Sequence, residues 1–166
     1  MTTVDELMEK ADYAYSREDD LEKTLKYVYE AVKIDPADIR PLNLMGVTLF
    51  ELGENDEALN CYEKILQIDP SNDEAKLKKG QMLTELEKYD EAILLFDELV
   101  ENRSSMKDEA IIAKLSLTLE QNNEEEYQKT LKICNEIIEK EDSKYLKDEI
   151  GFILSIHEAL KNIKKD

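Results

Sequence analysis

Few groups in this 166-residue chain could do covalent or acid–base chemistry. Its one histidine, His157, has no nucleophile or carboxylate at a spacing that would activate it. Cys61 and Cys134 show neither metal-ligand nor redox spacing, and each falls within a helical apolar pattern, where a free cysteine acts as a small hydrophobe. No phosphate-cradling G-x-x-x-x-G-K-[ST] or G-x-G-x-x-G loop occurs. The acid runs Glu18-Asp19-Asp20 and Glu124-Glu125-Glu126 lack the glycine and alternating ligands of a calcium loop. These residues point away from an enzyme, and no metal or cofactor is expected.

The charge balance narrows the partners. Forty acids against 22 bases give a formal net charge of −18. Binding to a phosphate backbone draws on counterion release by Lys and Arg, so nucleic acid is disfavoured, and an anionic membrane surface for the same reason. The charge serves solubility, and a basic partner is the sharper alternative. Met1 to Lys10 has no apolar core of a secretion signal, and no apolar run approaches the ~20 residues of a membrane span. A soluble, cytoplasmic protein is expected.

The elements that carry these residues repeat. Ile34-Asp35-Pro36 returns as Ile68-Asp69-Pro70, Gly46 returns as Gly80, and Glu57-Ala58 returns as Glu91-Ala92, all at a spacing of 34. Within each period the apolar residues keep helical spacing: Leu42, Met45, Leu49 and Leu52 on one stripe, Ala58, Tyr62, Ile65 and Leu66 on another. Gly53-Glu54-Asn55 reads as the turn between them, with Asn55 as a helix cap, and Ser71 to Glu74 reads as a capping box. The Asp-Pro pairs end the second helix, because the residue before proline resists the α conformation. The pattern predicts helices at 4–16, 20–34, 39–52, 56–68, 72–86, 90–101, 106–121, 125–140 and 143–163.

A 34-residue period with these residues resembles the tetratricopeptide repeat. The second unit carries the resemblance through Leu42, Met45, Gly46, Leu49, Ala58, Tyr62 and Pro70, the third through Gly80, Leu83, Ala92 and Phe96. The third has Lys76 and Lys79 in usually apolar slots and Ser104 in place of proline. The first fits through Met8, Ala11, Tyr15, Thr24, Val28, Ala31 and Pro36, with Asp12 where a small residue is usual. The fourth fits through Ile112, Leu115, Ser116, Leu119, Thr130 and Cys134. The resemblance implies an all-α, right-handed α-α superhelix of about four helix pairs in a single domain over 1–166, with repeats near 5–38, 39–72, 73–106 and 107–142. The helix at 143–163 would cap the open end, one apolar face inward and Lys161, Lys164 and Lys165 in water.

The same resemblance implies a function. The family binds through a concave face lined by the first helix of each pair. Carried over by register, that groove is Tyr13, Arg40, Asn43, Val47, Phe50, Leu77, Lys78, Gln81, Lys114 and Leu117. With Glu9, Arg17, Glu51, Glu74, Glu85 and Ala113 added, acids and bases nearly balance there. The slots that clamp a peptide carboxylate in some members hold Glu9, Tyr13, Leu44, Glu74 and Lys78, which argues against that specificity. The expectation is a protein- or peptide-binding scaffold or adaptor. Its alternatives are a self-assembling structural protein, stacking through its apolar first unit or through its terminal helix as a homo-dimer, and a regulatory subunit of an enzyme complex.

Overall fold

Short polar side chains set where several helices begin. Thr3 accepts from the backbone N–H of Glu6 while Glu6 reaches back to the Thr3 N–H, a full capping box. Asp20, Asp38 and Asn72 cap the next helices of the same kind, each taking up an otherwise orphaned N–H. Two caps differ from the sequence reading. Glu54, not Asn55, precedes its helix. Asn72 accepts from Ala75, while Ser71 turns back to Asp69.

The computed structural model describes residues 2–121, 123–141 and 143–163, with the side chains of 159–163 excepted. The side chains of Leu160, Lys161 and Ile163, and all of Lys164 and Lys165, expected in the cap, lie outside that description. The described residues form α1 (Val4–Tyr13), a π-helical turn (Ala14–Glu18), α2 (Leu21–Ile34), α3 (Ile39–Glu51), α4 (Asn55–Ile68), α5 (Asp73–Glu85), α6 (Tyr89–Glu101), α7 (Lys107–Glu120), α8 (Glu124–Glu141) and α9 (Lys144–Ile163). The all-α expectation holds, and the bounds fall within a residue or two of those predicted except at the π turn.

The chain divides into two compact units, Met1–Lys88 and Tyr89–Asp166. In the first, α1 packs on α2, α2 on α3, α3 on α4 and α4 on α5. Gly53 ends α3 at φ 79°, a left-handed value that suits a residue without a Cβ. Ala58, Leu42, Tyr62 and Ile65 are all buried in this packing. In the second unit, α6 packs on α7, α7 on α8, and α9 closes over both α7 and α8. Its core is Ile111, Leu115, Tyr127, Cys134, Leu146 and Ile150. Ser104, which stands where a proline was expected, is buried and accepts from the Met106 N–H to start α7. Among the described residues, no helix is long and apolar enough to cross a membrane.

Candidate protein-interaction face

The residues that each first helix turns outward follow from those it buries. In α3 the buried residues are Pro41, Leu42, Met45, Gly46, Thr48 and Leu49. This leaves Arg40, Asn43, Val47, Phe50 and Glu51 on the other side, with Arg40, Phe50 and Glu51 exposed and Asn43 and Val47 half-buried. In α5, Lys78 and Gln81 are half-buried, and Glu74 and Glu85 are exposed. Leu77, expected in the groove, is only 5% exposed. A branched apolar side chain at that position takes packing over solvent, so it offers no surface to a partner.

The first repeat departs from the 34-residue register. The buried residues of α1 and its extension are Leu7, Ala11 and Ala14, which stand 35 residues before Leu42, Gly46 and Leu49. Yet Thr24, Val28 and Ala31 of α2 stand 34 before Ala58, Tyr62 and Ile65. One extra residue therefore lies between the two helices, and the π turn at Ala14–Glu18 takes it up. One residue is about 100° around a helix, so a different face of α1 lies beside Arg40 and Phe50. The positions matching Arg40, Asn43, Val47 and Phe50 are Asp5, Met8, Asp12 and Tyr15. Two contacts mark that face. Arg40 Nη2 lies 2.9 Å from Asp5 Oδ1, and the Tyr15 hydroxyl donates to Glu51.

Tyr13 is accordingly a correction. It is 59% exposed but lines a separate cavity of about 370 Å³ with Lys23 and Tyr27 of α2. Arg40 and Asn43 do come together, with Ile65 and Glu74, around a pocket of about 120 Å³. Asp12 carried the signal for the correct register. A carboxylate cannot sit where two helices cross, and Ala11 beside it can.

Register slips again in α7. Ala110, Ile111, Lys114, Leu115, Leu117 and Thr118 are buried, each 69 residues after its α3 counterpart, one more than two periods. At the positions matching Asn43, Val47, Phe50 and Glu51, Ile112 and Leu119 pack partly buried against the core of this unit, Ser116 is half-buried and Glu120 is exposed. Lys114 and Leu117, both expected in the groove, belong to the interior. The Lys114 side chain is 5% exposed and is held by Asp97 at 2.6 Å and Glu126 at 2.7 Å. Burial pushes its pKa down, but the hydrogen bonds to the two carboxylates outweigh that and leave it above the usual value.

The corrected register also changes the charge of the face in the first unit. Asp5, Asp12, Glu51, Glu74 and Glu85 are exposed along it. Arg40 is tied to Asp5 and Asp38, and the hydrogen bond from Arg40 holds the Asp38 carboxyl below the usual range. Among the described residues that α3 and α5 place on it, Lys78 is the other cation, so acids outnumber bases around Met8, Val47 and Phe50. Among the described residues no group of three or more His, Cys, Asp or Glu is placed to hold a metal. Both cysteines are buried and free.

Paired helices that share small residues at their crossings and repeat every 34 residues define a helical-hairpin repeat protein. Residues 39–72 match the tetratricopeptide repeat family. The chain is similar in structure to MamA (TM-score 0.73, 15% identity, 84% of this chain and 80% of that one). It is also similar to a tetratricopeptide repeat protein from Parabacteroides merdae (TM-score 0.73, 23% identity, 98% of this chain), of which it spans 63%. The tetratricopeptide repeat domain of Arabidopsis OM64 overlays with a TM-score of 0.58 at 24% identity, over 65% of this chain and 90% of that one. No curated protein matches the sequence significantly. Residues 39–72 thus form a tetratricopeptide repeat, and the chain shares the fold of tetratricopeptide repeat proteins.

Proposed function

We propose that the chain is a binding scaffold whose first-helix face takes a protein or peptide segment carrying both basic and large apolar side chains. The supporting observation is the acidic rim of Asp5, Asp12, Glu51 and Glu74 around the half-open apolar centre of Met8, Val47 and Phe50. Lys and Arg of a ligand would meet the carboxylates of Asp12 and Glu74, with Arg40 held by Asp5 and Asp38, and Phe50 would supply the anchor. Tetratricopeptide repeats are interaction modules, and no residue constellation here suggests a catalytic role.

The test is affinity capture with three baits: the wild type, Phe50→Ala, and Asp12→Lys with Glu74→Lys. Ligands of this face stay on the first bait, are lost from the other two, and are released by raised salt, which screens exposed charge. Equal retention by all three baits removes this face from consideration. A second reading is self-association through the terminal helix, favoured by the exposed Tyr145, Phe152 and Ile156 on α9.

A further inference from the structure

A cavity of about 320 Å³ lies between α7 and α9 in the second unit. Leu119 of α7 with Ile153 and Ile156 of α9 give it apolar walls. Three polar side chains also line it: Ser116 and Glu120 from α7 and His157 from α9. Glu120 is exposed and marks the open side, whereas Ser116 and His157 are half-buried.

The two half-buried groups carry hydrogen-bonding capacity that the chain does not use. Every other described serine or threonine within a helix donates to a carbonyl three or four residues back, as Thr48 does to Leu44 and Thr130 to Glu126. Among the described residues the Ser116 hydroxyl makes no such bond and lines the cavity instead. His157 Nε2 is buried without a partner, its ring 5.7 Å from that of Tyr127 on α8. A buried polar atom left unpaired is costly. The imidazole torsion is broad and two-fold, so a turn of the ring brings that nitrogen to its other edge at small cost.

These features define a ligand. The cavity is about twice the ~150 Å³ that encloses benzene, so two fused rings fit. A charge held between Leu119, Ile153 and Ile156 would lose its hydration, which selects a neutral molecule. A hydroxyl both donates and accepts, so it can pair with Ser116 and with either tautomer of His157. We propose that this cavity binds a small neutral aromatic alcohol of about two rings, with its rings on the apolar walls and its hydroxyl between Ser116 and His157. The site shares no residue with the acidic face of the first unit and does not rest on that reading.

Equilibrium dialysis of the full chain at pH 7 against 2-naphthol and against naphthalene measures what the hydroxyl adds. 2-Naphthol binds about tenfold more tightly, the scale of one hydrogen bond in an enclosed site. Ser116→Ala, which favours the helix and keeps the cavity, closes that gap and leaves naphthalene binding unchanged. His157 is the chain's one histidine, so its ring resonances need no assignment, and 2-naphthol shifts them. N-acetyltyrosinamide, which carries a hydroxyl on one ring and a peptide backbone, binds at least about tenfold more weakly than 2-naphthol. The proposal is overturned by a wild type that binds neither probe or binds both equally, by a gap that survives Ser116→Ala, or by binding that leaves the His157 resonances in place. N-acetyltyrosinamide binding as tightly as 2-naphthol overturns the small molecule and gives the cavity to a peptide side chain.

Discussion

Gly46 of α3 faces the ring of Tyr62 on α4 so closely that an added Cβ would lie 2.9 Å from Cζ. Helix propensity alone favours Gly46→Ala by about 1 kcal/mol. Overpacking opposes it by about 1–3 kcal/mol, and Tyr62, at 1% exposure, has no free space to retreat into. The clash wins, so Gly46→Ala lowers the melting temperature. Gly151→Ala is the control. With nothing within 4 Å of its Cβ, it raises the melting temperature. Equal effects on melting at the two glycines would contradict the packing of α3 on α4.

Lys114 with Asp97 and Glu126 predicts a pH dependence. The Lys114 hydrogen bond is the main reason the Glu126 carboxyl titrates below its ordinary 4.5. Glu126 therefore adds stability above pH 4.5 that drains away as the pH falls through its lower, folded value. Lys114 titrates above its ordinary 10.5, so its contribution is complete below 10.5 and is lost as the pH climbs through the raised value. Urea unfolding at pH 7 and near pH 3.5 should show a smaller acid loss for Glu126→Gln than for the wild type. Lys114→Ala should cost about 3 kcal/mol at pH 7, because it strands two partly buried acids. Lys114→Met should cost less, since its chain refills the space.

Both thiols should be silent in the native protein. Burial pushes Cys61 up to about 11, with Lys64 pulling slightly the other way, and pushes Cys134 up to about 12. At pH 8 the thiolate fraction at Cys61 is about one in a thousand, behind a side chain 2% exposed. A disulfide reagent at pH 8 should titrate neither cysteine until urea is added, then both together. A fast-reacting thiol in the native chain would show that one of these helix faces opens.

The two central repeats were legible in the sequence because their main small and large core slots held fitting residues at a spacing of 34, although Lys76 and Lys79 broke the pattern of the third and Leu77 proved buried. Gly46, Ala58, Tyr62, Ala92 and Phe96 all took the positions expected of them. The outer repeats were not, for a physical reason in each case. The π turn at Ala14–Glu18 leaves no mark in a hydrophobic pattern, so α1 was read one residue out of phase and Tyr13 was placed on the wrong face. In α7 a lysine occupies an interior slot, and Ser116 imitates a small crossing residue. Only Asp97 and Glu126, contributed by α6 and α8, make Lys114 tolerable inside, and such partners are invisible to a reading of one helix at a time.

Tyr15 and Glu51 join the π turn after α1 to the end of α3 on the proposed binding face, and this contact predicts an alkaline signature. The hydrogen bond to Glu51 is the first cause, and burial the second, of a Tyr15 hydroxyl pushed up to about 12 from its ordinary 10. The folded state holds that proton more tightly than the unfolded chain. Its stabilisation is therefore complete below pH 10 and disappears as the pH rises from 10 towards 12. Tyr15→Phe removes the group and should lower stability at pH 7 by about 0.5–1.5 kcal/mol, the net worth of one such bond. The gap between wild type and variant should then close as melts are repeated from pH 9 to 12. Glu51→Gln should bring the Tyr15 phenolate, read by absorbance near about 295 nm, back towards the ordinary range. A gap that stays constant through pH 12 would mean that the hydroxyl is free in solution. The one-residue rotation of α1 would then lose its main support at the C-terminal end of that face.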